Sequence, residues 1–284
     1  MHETQPSGEP APKVQPAHDG SLDAEVIVVG SDLLSGQVGD SSAQLVCGAL
    51  DTRGAIVRRV AVVPDENDAI EAALRDALQR NPHIVVTIGG LGPAVDDRTY
   101  AAVAQVLGLP LKMNPGARSV VEAGYRRMVE ERRAEKGGID AAREKLACLP
   151  VGCVVLDNPV GVAPGAIYRL PGGTAVINVP GTPREARLVL DGAFPHLQDL
   201  SHGRRVARRQ IEAPVADESA LRPLLEKVAE EYPNARLTTR PVGSAKKGFR
   251  VVIAVETQAE STESAESAIG LVVNRLLGLV SGAK

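Results

Sequence analysis

The chain has 284 residues, 44% hydrophobic and 24% charged, a composition typical of a globular protein with room for two domains. Its formal net charge of -3 argues against a nucleic-acid-binding protein, and its aromatic content of 2% argues against base stacking as a binding mode. No apolar run approaches the roughly 18 residues of a membrane span, so no membrane partner is expected. The 3 cysteines follow no metal-binding or redox spacing, and a reducing, cytoplasmic location is expected.

The first part of the chain alternates between predicted strands and helices. Residues 1–22 are rich in Pro, Gly and Gln and are predicted to form a disordered tail. A buried strand is predicted from the apolar run that ends at Gly30, and the β-branched residues of Ala55–Val63 predict a second strand. Amphipathic helices are predicted after them, over Ser41–Leu50 and Asp65–Arg80. This alternation predicts a mostly parallel sheet with helices on both faces.

The same pattern continues to about residue 200. In chain order it first predicts a strand over His83–Ile88, a helix over Asp97–Leu107, a charged helix over Pro115–Lys136 and a helical piece ending near Pro150. It then predicts three short strands, over Cys153–Leu156, Ala166–Leu170 and Ala175–Val179, and a helix over Thr182–Leu197. Turns rich in Gly and Pro separate the three short strands. Residues 23–202 are therefore predicted to form one three-layer α/β/α domain.

The pattern changes after a polar stretch around residues 201–205, which predicts a domain boundary. Beyond it, strands are predicted over Val206–Ala213, Ala235–Thr239 and Gly248–Glu256, and helices over Glu218–Glu231 and Glu263–Leu277. The order strand, helix, strand, strand, helix predicts that residues 203–284 form a small α+β domain with an antiparallel sheet.

The most informative motif is GGLGPAVDD at Gly89–Asp97, which directly follows a predicted buried strand. A turn with three glycines can bring backbone N–H groups close to phosphate oxygens. The carboxylates of Asp96 and Asp97 are the ligands that Mg²⁺ prefers, and they are the candidate catalytic and metal-binding residues. The alternative is a purely structural turn whose acids only cap the following helix.

Three more loops follow predicted strands, at Gly30–Ser42, Asn158–Gly165 and Val179–Glu185. Ligands of open α/β sheets bind beyond the carboxyl ends of the strands, so we expect all four loops to open on one pocket. The candidate residues for binding phosphate or substrate are Gly30, Ser31, Gly89, Gly90, Leu91, Gly92, Pro93, Asn158, Gly161, Gly165, Gly181 and Pro183. Asp32 and Asp40 are secondary candidates for a metal ligand or a base.

Two of these loops carry signatures of a known family. Gly89–Asp97 differs from Gly-Gly-Leu-Gly-Pro-Thr-x-Asp-Asp at Ala94, and Asn158–Gly165 differs from Asn-Pro-x-Gly-Thr-Ala-Pro-Gly at Val162. On these motifs the sequence resembles the MoaB/Mog family of molybdopterin-binding domains. More narrowly, it resembles the branch that contains the N-terminal domain of competence/damage-inducible protein A (CinA).

The other two loops carry the resemblance further, with substitutions. Val179–Glu185 resembles the branch's Leu-Pro-Gly-x-Pro-x-Glu signature. The first loop has Asp32 where the branch has Glu, and Ser41-Ser42 where it has Thr-Asn. The resemblance covers about Glu25–Leu200, and the small domain resembles the α+β domain that follows in this branch. The chain ends where full-length CinA proteins continue into a nicotinamide mononucleotide deamidase domain, so that activity is not expected.

The resemblance implies nucleotide chemistry with a divalent metal ion such as Mg²⁺, often with K⁺. CinA-type domains are linked to hydrolysis of the pyrophosphate of ADP-ribose, and the related domain of eukaryotic FAD synthase is linked to hydrolysis of FAD. MoaB/Mog relatives instead bind molybdopterin and adenylylate it with Mg-ATP. The expected ligand is thus a small phosphorylated nucleotide or a pterin, and relatives of this fold imply a homo-oligomer.

Three functions remain open at this point. The first is a metal-dependent hydrolase of a dinucleotide pyrophosphate that uses Asp96 and Asp97. The second is a non-catalytic module that binds molybdopterin or a nucleotide, since Ala94 and Val162 lack the hydroxyl groups of the signatures. The third is a molybdopterin adenylyltransferase of molybdenum cofactor biosynthesis.

Overall fold

A computed structural model describes residues 22–200, 205–215, 217–244 and 248–282. The predicted disordered tail lies outside these residues except for Leu22, and so does the predicted boundary between residues 202 and 203. Among the helices of the described ranges, none combines the length and the hydrophobicity that a membrane span requires.

The described residues up to 200 form an α/β domain. Its strands are β1 (Leu22–Val29), β2 (Ala55–Val63), β3 (Ile84–Ile88), β4 (Leu111–Met113), β5 (Cys148–Pro150), β6 (Val154–Leu156), β7 (Gly165–Arg169) and β8 (Ala175–Val179). Its helices are α1 (Ser31–Leu34), α2 (Ser42–Asp51), α3 (Asn67–Gln79), α4 (Thr99–Leu107), α5 (Pro115–Glu130), α6 (Ala141–Glu144) and α7 (Pro183–Ala193). Short 3-10 helices lie at Lys145–Ala147 and Phe194–Leu200.

Six of these strands form one sheet in the order β2-β1-β3-β8-β7-β6. Strands β1, β2, β3 and β8 are parallel, and β7 runs antiparallel to both of its neighbours. Helices α2 and α7 cover one face through Val46 and Leu190, and α3 covers the other through Ile70 and Leu74. The predicted α/β fold with a mostly parallel sheet is confirmed. Because parallel strands end at the same edge, the loops after β1, β3 and β8 lie side by side.

Some local predictions differ from the structure. The charged helix α5 ends at Glu130 rather than at Lys136. The chain turns at Arg132, whose φ is 59°, and the N–H groups of Arg133 and Ala134 fold back onto the Met128 carbonyl at 2.7 and 3.2 Å. The helical piece predicted to end near Pro150 ends at Ala147, and Cys148–Pro150 forms strand β5, which pairs with β4 as a short antiparallel ladder. Three-residue strands are too short to show a periodic pattern, so the ladder was not predicted.

The residues after 205 form a small α+β unit. Its elements are β9 (Arg205–Ala213), α8 (Arg222–Glu231), β10 (Ala235–Ser244), β11 (Gly248–Ala259) and α9 (Thr262–Gly282), with a further 3-10 helix at Glu218–Leu221. The strands pair antiparallel in the order β10-β11-β9, and along the chain the elements follow each other as predicted, with strand, helix, strand, strand and helix. Alternate residues of β11, such as Ile253 and Val255, pack against Ile269 and Leu276 of α9.

An arginine joins the small unit to the α/β domain. Arg208 of β9 pairs with the Asp51 carboxylate at the end of α2, and its Nε donates to Glu256 Oε2 at 2.9 Å. Burial raises the pKa of Asp51 above its ordinary value, and the positive charge of Arg208 opposes that rise.

Replacing Arg208 by Ala is therefore expected to raise the pKa of Asp51 further. A carboxyl group with a higher pKa in the folded state binds its proton more tightly when folded. The variant should then lose more stability than the wild type as the pH rises from 3.8 through the raised pKa of Asp51. An NMR pH titration of the Asp51 carboxyl carbon measures the shift. Arg209→Ala, which removes a pair with Glu266 inside the small unit, is the control. An unchanged pKa in Arg208→Ala would contradict the expectation.

Candidate functional site

A cleft of about 900 Å³ opens at the carboxyl ends of β1, β3 and β8. The residues that line it are Val28, Val29, Gly30, Ser31, Asp32, Leu33, Ser35, Gln37, Val38, Gly39, Asp40, Ser41, Ser42, Asp65, Ile88, Gly89, Gly90, Asp96, Gly181, Thr182 and Pro183. Three of the four predicted loops therefore meet at one cleft, because their strands are parallel and adjacent.

The turn at Gly89 and Gly90 forms part of the cleft lining and needs glycine at both positions. Their φ angles are 94° and 65°, in the left-handed region. A Cβ atom on Gly89 would lie 2.6 Å from the carbonyl oxygen of Val29, and one on Gly90 would lie 2.2 Å from Oγ1 of Thr99. Thr99 in turn holds the turn in place, since its hydroxyl donates to the Gly89 carbonyl at 2.8 Å and its N–H donates to the Gly90 carbonyl at 3.0 Å.

The loop before α7 supplies the neighbouring part of the lining. Thr182 is the N-cap of α7 and Pro183 occupies the first turn, as the sequence predicts. The hydroxyl of Ser42 donates to the Gly181 carbonyl at 2.6 Å and so links this loop to the start of α2. Among the described residues, the N–H groups of Gly90, Gly181 and Thr182 have no hydrogen-bond acceptor. These donors, with the positive end of α7, suit an anionic ligand.

Four aspartates line the cleft, and three of them are anchored through one carboxylate oxygen. Asp32 accepts from its neighbour Leu33 N at 2.9 Å, Asp40 accepts from the α2 backbone at 2.9 Å, and Asp65 accepts from Ser31 N at 2.7 Å. Asp96 is exposed and accepts no hydrogen bond from any described residue. From the described parts of the chain, no Lys, Arg or His side chain lines the cleft.

This set of oxygen ligands fits a hard divalent cation that a phosphorylated ligand brings with it. Within the described ranges, no three His, Cys, Asp or Glu side chains come close enough to hold a metal ion. Mg²⁺ does not require such a cage, because it usually binds one or two carboxylates together with substrate phosphates and water. One or two of the carboxylates of Asp32, Asp40, Asp65 and Asp96 would hold it, together with phosphate oxygens of the ligand and water.

The adjacent acids Asp96 and Asp97 line different cavities. Asp97 Oδ2 accepts a hydrogen bond from Ala94 N at 2.8 Å, which closes the turn after the glycines. Asp97 lines a second cavity of about 50 Å³ together with Leu91, Gly92, Tyr100, Lys145 and Cys148. Pro93 is exposed in the turn itself. The structure thus brings Asp96, but not Asp97, to the cleft with the other aspartates.

The thiol and phenol groups beside this second cavity are held neutral. Burial raises the pKa of the Cys148 thiol, and it raises the pKa of Tyr100 well above the ordinary value. The Tyr100 hydroxyl also donates to the Pro164 carbonyl at 2.8 Å. A thiol that is not ionised is a poor nucleophile, so the carboxylates remain the candidates for chemistry.

The fourth predicted loop, Asn158–Gly165, does not line the cleft. Asn158 is fully buried, and its amide donates to the Ala163 carbonyl at 2.7 Å and to Glu185 Oε1 at 3.0 Å. Its Oδ1 accepts from Gly161 N at 2.8 Å, and Gly165 begins β7. Glu185 also accepts a hydrogen bond from the hydroxyl of Thr182. The loop therefore contacts the Thr182 loop through Glu185 and does not reach the cleft.

The structure adds residues that the sequence motifs did not single out. Asp65 lines the cleft because β2 is the neighbour of β1, and its backbone N–H donates to Ser31 Oγ at 3.1 Å. Its position at the end of a predicted strand was the available signal, but the residue was interpreted only as the start of a helix. Gln37 and Val38, in the loop before α2, also line the cleft.

The three-layer fold has an open cleft at the carboxyl edge of its sheet, which is the place where open α/β sheets bind small ligands. Residues 25–199 match the family described as a probable molybdopterin binding domain, and the chain belongs to that family. The predicted resemblance to the MoaB/Mog family is confirmed.

The chain is also similar to individual relatives. The chain is 37% identical over 266 residues to a protein of Caldivirga maquilingensis, covering 92% of this chain and 96% of the relative. It is 34% identical over 245 residues to a protein of Thermococcus kodakarensis, covering 86% and 94%. It is also similar to the crystal structure of the protein CinA, of unknown function, from Thermoplasma acidophilum. That match has 34% identity and a TM-score of 0.55, and it covers 62% of this chain and 98% of the other.

Proposed function

We propose that the protein is a metal-dependent hydrolase of a dinucleotide pyrophosphate of the ADP-ribose or FAD class. The observation that carries the proposal is the composition of the cleft, where free backbone N–H groups lie among four aspartates. A pyrophosphate would be repelled by these carboxylates unless a cation bound with it. A bound Mg²⁺ would supply that positive charge and withdraw electron density from the phosphate. K⁺ is a further candidate cofactor.

The side chains and backbone then have distinct tasks in the hydrolysis. The N–H groups of Gly90, Gly181 and Thr182 bind phosphate oxygens and orient the pyrophosphate. Asp96, which has no hydrogen bond to a described residue, accepts a proton from the attacking water. The water oxygen bonds to one phosphorus while the bridging P–O bond breaks, and the leaving phosphate takes the bridging oxygen. ADP-ribose gives AMP and ribose 5-phosphate.

The proposal is tested by incubating the purified protein with ADP-ribose and FAD under Mg²⁺, Mn²⁺ or Co²⁺, with and without K⁺. Chromatography of the products is the readout. Asp96→Asn is expected to lower turnover about 100-fold, the contribution of a general base. Asp76→Asn, an exposed carboxylate on α3 outside the cleft, is the matched control and should leave turnover unchanged. Cleavage of neither compound, or full activity in Asp96→Asn, would overturn the proposal.

A non-catalytic module that binds molybdopterin or a nucleotide is the second candidate function. It is favoured by Ala94 and Val162, which lack the hydroxyl groups found in the signatures that they otherwise match. Tight binding in calorimetry with no product over hours would support it. Molybdopterin adenylylation is the third candidate, and it requires a product that forms only when ATP and molybdopterin are both present. The predicted homo-oligomer is checked by light scattering.

A further inference from the structure

The segment Ser35–Ser41, here called the cleft arm, forms one wall of the cleft between α1 and α2. Each residue of the arm is exposed, including Val38, which lines the cleft with 52% of its surface accessible. Gly36 has a φ of 72° at one end of the arm. The Gln37 N–H donates to the Asp32 carbonyl at 3.0 Å, which fixes the base of the arm.

The cleft is larger than a pyrophosphate and its cation require. Its volume of about 900 Å³ is in the upper part of the range of roughly 300–1,000 Å³ that holds drug-sized ligands. The remaining space has apolar lining in Leu33 and Val38 on the arm side and Pro183 on the opposite loop. No aromatic side chain of the described residues lines the cleft, so a planar ring bound there would pack on aliphatic groups.

The arm also carries a glutamine side chain, Gln37, whose amide suits a particular ring. The amide of Gln37 has no hydrogen-bond partner among the described residues, and it lines the cleft beside Val38. A glutamine amide offers a donor and an acceptor side by side, which matches the N7 acceptor and N6 amino donor of adenine. A purine ring with an oxygen in place of the amino group, such as that of IMP, offers only acceptors at this edge. It can therefore pair with the N–H donor of the Gln37 amide but not with its oxygen.

We propose that the cleft arm is an adenine-binding subsite, in which Val38 packs on the ring and Gln37 hydrogen-bonds its N6–N7 edge. The inference rests on the proposed function for the position of the phosphates, which bind at the glycine turn. It goes beyond that function because it makes Gln37 the residue that determines which base is accepted.

Calorimetric titration with AMP, IMP and ribose 5-phosphate in the presence of Mg²⁺ tests the subsite. Wild-type protein should bind AMP about tenfold more tightly than IMP, the discrimination expected of one bidentate contact. Gln37→Ala should remove this preference, and Val38→Ser should weaken both nucleotides about equally without affecting ribose 5-phosphate. Gln105→Ala on α4 and Val60→Ser on β2 are matched controls outside the cleft and should match the wild type.

The results separate this inference from the proposed hydrolysis. A Gln37-dependent preference for AMP in a protein that never cleaves ADP-ribose would support the subsite and reject the hydrolase. Cleavage of ADP-ribose that depends on Asp96, with an AMP preference unchanged in Gln37→Ala, would reject the subsite alone. Wild-type protein that binds neither nucleotide, or binds AMP and IMP equally, would also overturn the subsite.

Discussion

Gly90→Ala is expected to lower the free energy of unfolding by about 2–5 kcal/mol, combining left-handed backbone strain with overpacking. The φ of Gly90 is 65°, and the added methyl group would lie 2.2 Å from Thr99 Oγ1. Thr99 is fully buried and holds both carbonyls of the turn, so it cannot move aside without breaking those hydrogen bonds. Ligand binding at the cleft should be lost together with the turn. Urea denaturation and calorimetry measure the two effects.

Gly108→Ala separates the two causes. Gly108 ends α4 with a φ of 64°, and a Cβ atom there would have no neighbour within 4 Å. The Gly108→Ala variant should therefore lose only the free energy of unfolding due to backbone strain, about 1–2 kcal/mol. Its ligand binding should be unchanged. Equal destabilisation by the two substitutions would contradict the packing of Gly90 against Thr99.

Asp97→Ala is expected to reduce both stability and turnover. Loss of its carboxylate leaves Ala94 N without its acceptor, which should cost about 1–2 kcal/mol, as for loss of a helix cap. The loosened turn carries Asp96, so hydrolysis of ADP-ribose should fall by a factor similar to that for Asp96→Asn. Thermal unfolding and product chromatography provide the two measurements.

Asp97→Asn distinguishes a structural role of Asp97 from a direct one. The amide oxygen of Asn can still accept from Ala94 N, so stability should stay within about 0.5 kcal/mol of the wild type. Most of the turnover and of the Mn²⁺ affinity should also remain. Loss of both in a protein of normal stability would instead make Asp97 a metal ligand or catalytic residue beside Asp96, as the sequence motif predicts.

Most of the secondary structure could be predicted because local patterns dominate it. Strands β2 and β8 were predicted with the same bounds, since runs of Val, Ile and Ala between turn signals are typical of strands. The end of α5 was missed because its charged continuation has good helical residues, while burial of its apolar face stops near Tyr125 and Met128. The position at which α5 ends therefore depends on tertiary packing.

The site was predictable only in part, for a geometric reason. Strand order brings loops together, and the order β2-β1-β3-β8 places Asp65 beside Ser31 and Gly181 beside Gly89. Sequence spacing carries no information on that order. It also carries none on the direction of consecutive side chains in an irregular turn, which is why Asp96 and Asp97 were treated as one pair.

By itself, the sequence determined the α/β class, the family resemblance and the glycine turn at the end of β3, because local composition and short motifs encode each of them. Only the tertiary structure decided which groups share the cleft. It brought four aspartates and free backbone N–H groups together at the cleft. It also kept Asn158 out of the cleft, in a position where its amide hydrogen-bonds to Glu185, the same carboxylate that Thr182 contacts. Contacts between distant segments depend on how strands and helices pack, and packing is a property of the whole fold.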